Sequence, residues 1–159
     1  MELVIRRAEY NEAKTLVHIY RDAYSENENL GLPASASKVK IDEVQGWILN
    51  TILLIAKEKD TNKILATVRF KYSEDWQCYV LSRLAVKSTY KGMGIATHLM
   101  KFGESELAKM GEEKVRLTVA QTHPYLAKMY EKKGYRIVGE RLLHNLPYNE
   151  FIMEKLLGF

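Results

Sequence analysis

The chain has one cysteine, Cys78, among its 159 residues. No disulfide can close within it, so nothing calls for an oxidising compartment. Set in an apolar run, Cys78 reads as a small core residue rather than a nucleophile. Proline is scarce as well, at three residues, and no Pro/Gly/Ser linker, low-complexity tract or internal repeat divides the chain, so a single domain over 1–159 is expected. Long hydrophobic runs are missing. The greasiest stretch, WILNTILLIA at 47–56, is interrupted by Asn50 and Thr51 and is too short to span a bilayer. The opening MELVIRRAEY lacks the apolar region of a secretion signal, so a cytoplasmic protein with no membrane partner is expected. Charge of one sign is in only mild excess, a net +4. Lysines alternate with acids in GEEK (111–114) and YEKK (130–133), which argues against a nucleic-acid-binding face.

What is present is a succession of well-marked elements. Residues 3–7 read as a short strand, and 11–24 as an amphipathic helix with Ala13, Leu16, Val17, Ile19, Tyr20 and Ala23 on one face. The polar stretch SENENLGLPASAS (25–37), broken by Gly31 and Pro33, reads as a long loop of the kind that carries specificity. A second helix is expected at 41–49, then strands at 51–57 and 63–72 around a turn at 60–62, and a third strand at 76–86. A helical stripe of Ala96, Leu99, Met100, Gly103, Leu107 and Met110 follows, with Gly111 placed to end it. After a strand at 115–120, Pro124 suits the first position of a last helix facing inward through Leu126, Met129 and Tyr130 and stopped at Gly134. Strands at 136–142 and 149–155 close the chain. The order β-α-α-β-β-β-α-β-α-β-β is that of an α/β (mixed α+β) domain, about seven strands in a mixed sheet with about four helices. That architecture names no function by itself.

One stretch carries chemistry. YKGMGIA (90–96) places Gly92 and Gly94 where a strand hands over to a helix. Such a turn serves either a tight backbone or an anion resting against bare amides at a helix N-terminus, where unpaired N–H groups carry partial positive charge. It is no P-loop, because Gly-x-x-x-x-Gly-Lys-Ser/Thr occurs nowhere in the chain. It is no dinucleotide fingerprint either: the third glycine is replaced by Thr97, and the acids Glu112 and Glu113 precede the next strand instead of ending it.

RLAV (83–86) followed by YKGMGIA, and later HPYLAKMYEKKGY (123–135), resemble the two motifs of the GNAT superfamily of N-acetyltransferases. IRRA (5–8) and FIMEK (151–155) resemble that family's two ends, so the resemblance covers the whole chain. It implies the GNAT fold and acetyl-CoA as acyl donor, with no metal. It further implies that the pyrophosphate rests on the amides of Lys91, Gly92, Met93, Gly94, Ile95 and Ala96 with Thr97 in reach. The pantetheine arm would lie along Leu84, Ala85 and Val86 like an added strand. Tyr130 matches the family tyrosine that donates to the sulfur as general acid, a role open to a phenol that stays protonated near neutrality. His123 stands where the motif has Asn, Lys91 where it has Gln or Arg, and Leu126 where it has Ala.

The implied reaction is N-acetylation of a primary amine of a small molecule or a peptide or protein by direct attack. The alternative is a non-catalytic acyl-CoA-binding regulatory or sensor module of the same fold, which the missing base keeps open. Many family members carry glutamate at the position of Ser82. Glu74 and Asp75 lie at the other end of that strand, His98 falls in a helix and His144 in the turn 144–150, so no base is assigned. The acceptor pocket is expected between 25–37, the second helix and 144–150, with Glu26, Glu28 and Glu150 as acids for a cationic amine and Tyr10, Tyr20, Tyr24, Tyr79 and Tyr148 as candidate lining. A homodimer is in keeping with the family.

Overall fold

A computed structural model describes residues 1–31 and 38–158, and the side chains of residues 26–28 lie outside what is described. The elements are β1 (Leu3–Arg7), α1 (Ala13–Asn29), α2 (Ile41–Asn50), β2 (Ile52–Glu58), β3 (Ile64–Ser73), β4 (Cys78–Val86), α3 (Ile95–Lys109), β5 (Lys114–Ala120), α4 (Leu126–Lys132), β6 (Arg136–Arg141) and β7 (Glu150–Leu156). The order is the expected one. All seven strands form one sheet, ordered β1-β2-β3-β4-β5-β7-β6. Every neighbouring pair is antiparallel except β4 and β5, which run parallel.

Period-two alternation sorts the sheet's side chains to two apolar layers. On one face Leu53, Ile55, Ile64 and Ala85 meet the stripe of α1 (Leu16, Val17, Ile19, Tyr20) and Val44 of α2. On the other, Leu54, Ala56, Phe70 and Leu81 pack under α3 and α4 through Leu99, Met100, Leu107 and Tyr130. Cys78 is buried within the sheet, a core residue as expected. Among the described residues no helix is long and apolar enough to cross a membrane.

Three expectations change. The stretch 25–37 is not a loop throughout: α1 continues through Ser25 to Asn29 before a turn at Gly31 (φ +71°), and the expected loop residues 32–37 lie outside the described residues. Periodicity is read from apolar residues, and Ser25–Asn29 contains none. Pro124 is not the first helical residue. Tyr125 keeps a non-helical backbone (φ −143°), so α4 starts at Leu126. Met110 ends the stripe of α3 only in sequence: it caps the helix and is exposed, whereas Glu104, polar and unremarked in the pattern, is buried and takes hydrogen bonds from Tyr135 (2.7 Å) and Lys155 (2.8 Å).

The close seating of α3 on the sheet depends on Gly103. A Cβ there would clash with the Cε2–Cζ edge of the Phe70 ring and lie 3.3 Å from Leu54 Cδ1. Gly103→Ala is expected to destabilise the fold by about 1–3 kcal/mol through overpacking, read as a lower urea midpoint with helix content retained. An unchanged midpoint would show that α3 can lift without cost.

Candidate functional site

The site starts where β4 leaves its neighbour. Pairing between β4 and β5 is confined to Tyr79↔Val115 and Val80↔Arg116, and from Leu81 onward the two parallel strands diverge. On its other side β4 stays paired with β3 but is bulged: Thr67 faces Ala85 and Arg69 faces Ser82, leaving Val68 opposite both Arg83 and Leu84. Arg83 takes φ +53°, a left-handed conformation uncommon for a residue with a Cβ. The Tyr24 hydroxyl of α1 donates 2.8 Å to the Leu84 carbonyl, pinning the bulge.

Beyond β4 the chain makes one 3-10 turn, Ser88–Tyr90, held by Asp22, whose carboxylate accepts from the Ser88 amide (2.7 Å) and hydroxyl (3.0 Å). Gly92 and Gly94 then sit at φ +81° and +79°, and a Cβ on either would meet no protein atom within 4 Å. Glycine is required there by the backbone and not by crowding. Gly94 is the N-cap of α3 and supplies no side-chain cap, so the first amides of that helix have no intrahelical partner. Lys133 of the α4 turn donates 2.6 Å to Thr97 in the first turn of α3, bringing an ammonium beside those amides.

A cleft of about 390 Å³ lies over this turn. Its walls include Leu84, Ala85, Val86, Lys91, Gly92, Gly94, Ile95, Ala96, Thr97, His123 and Tyr130, all singled out from sequence. Met93 is the exception: its side chain is exposed at the crest of the turn and does not line the cleft. Tyr24, expected as acceptor lining, lines this cleft as well, and Tyr90, Tyr125 and Lys133 line it without having been foreseen as cleft residues. Lys133 had a legible signal, a lysine beside the motif tyrosine, but its reach to Thr97 is a product of the fold. His123 is buried, and its Nδ1 accepts from the amides of Tyr125 (3.4 Å) and Leu126 (3.3 Å), capping α4. An accepting Nδ1 places any proton of the neutral ring on Nε2.

Through the parted strands a second cavity of about 510 Å³ opens, sharing Tyr24, Leu84, His123, Leu126 and Tyr130 with the first. Tyr130 therefore stands at their junction while also packing edge-on against Tyr135 (5.9 Å) in the core. Burial raises its pKa, with a smaller contribution from Tyr24, so its hydroxyl keeps its proton. Ser82 lines the second cavity, but its oxygen accepts from Arg69 Nε at 3.1 Å. Glu150 lines it too, with Arg141 at 3.6 Å and the Thr118 hydroxyl donating at 3.3 Å. His98, His144, Glu74 and Asp75 are exposed and line neither cavity, so the structure does not gather them into the site. Of the candidate tyrosines, Tyr24 and Tyr148 line the second cavity, whereas Tyr20 is core, Tyr10 is exposed and Tyr79 packs on Tyr72. Glu26 and Glu28 fall within α1, with side chains outside those described. Among the described residues no cluster of His, Cys, Asp or Glu could hold a metal.

Residues 13–135 match the model of the acetyltransferase (GNAT) family. Over 141 residues the chain is 26% identical to the S-(2-succino)cysteine N-acetyltransferase of Bacillus subtilis (strain 168), covering 86% of each. It is 28% identical over 80 residues to a Xenopus tropicalis protein named "Probable N-acetyltransferase 14", a match spanning 50% of this chain and 39% of that one. The fold is also that of the PaiA N-acetyltransferase from Thermoplasma acidophilum, solved in complex with coenzyme A. The TM-score is 0.80 at 20% identity, over 98% of this chain and 99% of that one.

The buried phenols set a pH limit. Burial pushes Tyr24 up to about 12, and burial is also the first cause of the raised pKa values of Tyr20, Tyr130 and Tyr135. Above an unfolded tyrosine value of about 10, the native state holds protons the unfolded chain has lost. Stability should therefore be intact below about pH 10 and fall as pH rises toward 12, with Tyr24→Phe flattening the decline. Urea midpoints that stay level across that window would contradict this.

Proposed function

The chain belongs to the GNAT family of acetyltransferases and is an acyltransferase dependent on acetyl-CoA, and from that premise we propose that it carries the acetyl group to a primary amine of a small molecule or a peptide. The observation that carries this reading is the parting of β4 from β5, with an uncapped helix N-terminus at one end and the Tyr130 hydroxyl at the junction of two cavities. The Bacillus subtilis relative, an N-acetyltransferase of S-(2-succino)cysteine, supports a small-molecule acceptor.

The residues present fit an acyl-CoA. The first cleft has the edge of β4 away from β3 along Leu84, Ala85 and Val86, where the Leu84 carbonyl already accepts from Tyr24 and the amides of an extended arm can pair alongside. Its far end has the bare amides of Gly92 to Thr97 with Lys91 and Lys133 beside them, a seat for a pyrophosphate. Met93 contributes only main chain there. His123 contributes by capping α4 and so holding Tyr130 in place. Acetyl-CoA, when bound, supplies an acyl group on a thiol leaving group.

The amine nitrogen forms its bond to the acetyl carbon as the carbon–sulfur bond breaks, Tyr130 gives its proton to the departing sulfur, and the proton shed by the new amide nitrogen restores the phenol. An ammonium of ordinary pKa, about 10.4, must first lose a proton. Ser82 is engaged by Arg69 and Glu150 by Arg141, and on this reading solvent takes that proton.

Tyr130→Phe should lower kcat by about 100-fold or more while acetyl-CoA affinity stays within about twofold of wild type. Unchanged turnover would remove Tyr130 from the chemistry. Lys133→Ala should do the reverse, raising KM for acetyl-CoA by about tenfold, the loss of one charge-assisted contact, with kcat near normal. Equal KM values would leave Lys133 as a support for Thr97 alone.

A further inference from the structure

We propose that Tyr135 is a positioning residue for the acetyl transfer: its hydroxyl, held by the buried Glu104–Lys155 pair, fixes Tyr130 relative to the helix that seats the donor. This rests on the acetyl-transfer reading, in which Tyr130 is the proton donor. A proton donor must be aimed, and α4 alone is poorly equipped to aim one. The helix has seven residues, fewer than an isolated helix needs to hold its shape, and Tyr130 stands in its last turn. Tyr135 holds Tyr130 at two points. Its amide donates to the Tyr130 carbonyl at 3.1 Å, and its ring packs edge-on against the Tyr130 ring, with centroids 5.9 Å apart and planes at 69°.

Packing by itself asks for no hydroxyl at 135. Phenylalanine would fill the same place, and a buried hydroxyl must find a partner or destabilise the core. Here the partner is itself buried and charged. Glu104 Oε2 accepts from the Tyr135 hydroxyl at 2.7 Å, and Oε1 accepts from Lys155 Nζ of β7 at 2.8 Å. Both oxygens of the carboxylate are thereby engaged, one from the residue that follows the α4 turn and one from the sheet. Burial, and then the Glu104 charge, keep the Tyr135 phenol protonated, so the phenol is the donor in that bond. Taking such ions out of water is costly, and apolar side chains of similar volume often stabilise a core as well or better. What a satisfied polar network supplies instead is a single arrangement. Glu104 belongs to α3, the helix whose first amides face the donor cleft, so its bond to Tyr135 ties that seat to Tyr130. Neither Glu104 nor Tyr135 lines either cavity, so both act through Tyr130 and not on the reacting atoms.

The test records single-turnover thiol release from acetyl-CoA bound to the full chain, with S-(2-succino)cysteine, L-amino acids, dipeptides and spermidine as acceptors. Tyr135→Phe, which keeps the ring, should lower the rate by roughly tenfold, short of the loss from removing the Tyr130 hydroxyl itself. Calorimetric affinity for acetyl-CoA should stay within about twofold. With Tyr130→Phe already in place, the same substitution should cost nothing further, because it acts through that hydroxyl. Lys155→Met, at the less buried end of the network, should lower the rate in the same way and by less, and it carries the comparison if Tyr135→Phe does not fold. Tyrosine-ring NMR of the CoA-loaded protein needs no acceptor. The Tyr130 signals, assigned by their loss in Tyr130→Phe, should be single and sharp in the wild type and broadened or multiple in Tyr135→Phe and Lys155→Met. An unchanged rate, an equal loss with and without the Tyr130 hydroxyl, a loss traced to weaker acetyl-CoA binding, or Tyr130 signals that stay single and sharp would overturn the proposal. Failure of the parent reading looks different: a wild type that acetylates none of the amines, or a fully active Tyr130→Phe, loses both, whereas a protein that needs the Tyr130 hydroxyl and not that of Tyr135 loses only this one.

Discussion

The site depends on one broken ladder. Parallel neighbours normally pair along their length, and unpaired backbone groups in a folded interior are costly. Here β4 and β5 pair over two residues and then part, so Leu81 to Val86 present an edge to a cleft instead of to a strand. The parting is supported on both sides: β5 is fully engaged by β7 from Lys114 to Ala120, while the bulge at Arg83 and Leu84 bends β4 and Tyr24 pins it. The fold stays closed elsewhere because two apolar layers, under α1 and α2 and under α3 and α4, grip the sheet on either face.

The cleft that results is electrostatically graded. At one end the amides of α3 and Lys133 favour an anion, and in the middle Tyr24 and Tyr130 are neutral phenols kept so by burial. A reaction that passes an uncharged acyl group between two bound molecules suits such an order. The cationic end suits the remote phosphates of an acyl donor, and the neutral centre leaves the reacting atoms to a proton donor.

Much of this was legible in the chain. The element order follows from periodicities that the core then obeys, as with Leu16, Val17 and Tyr20 on α1, and from glycines such as Gly111 and Gly134, both in left-handed conformations that end a helix. The motif residues at 84–86, 91–97, 123 and 130 come together, apart from the outward side chain of Met93. What was not legible is what depends on contacts remote in sequence. Tyr24 reaches Leu84 across sixty positions, Lys133 reaches Thr97 across thirty-six, and Arg69 and Arg83 each reach the Trp47 ring from another element. The helical extension of α1 to Asn29 was hidden for the opposite reason, since Ser25–Asn29 holds only polar residues and leaves no apolar periodicity in the sequence.

The central claim is that the bare turn at Gly92 and Gly94 seats the phosphates of acetyl-CoA. Calorimetric titration with acetyl-CoA, for the wild-type protein and for Gly94→Glu checked as folded by circular dichroism, tests it most directly. Binding in the micromolar range, roughly 8 kcal/mol, that is abolished by the introduced carboxylate is the predicted result. Wild-type binding that survives the substitution, or no binding by either protein, would contradict it and leave the glycines as requirements of the turn alone.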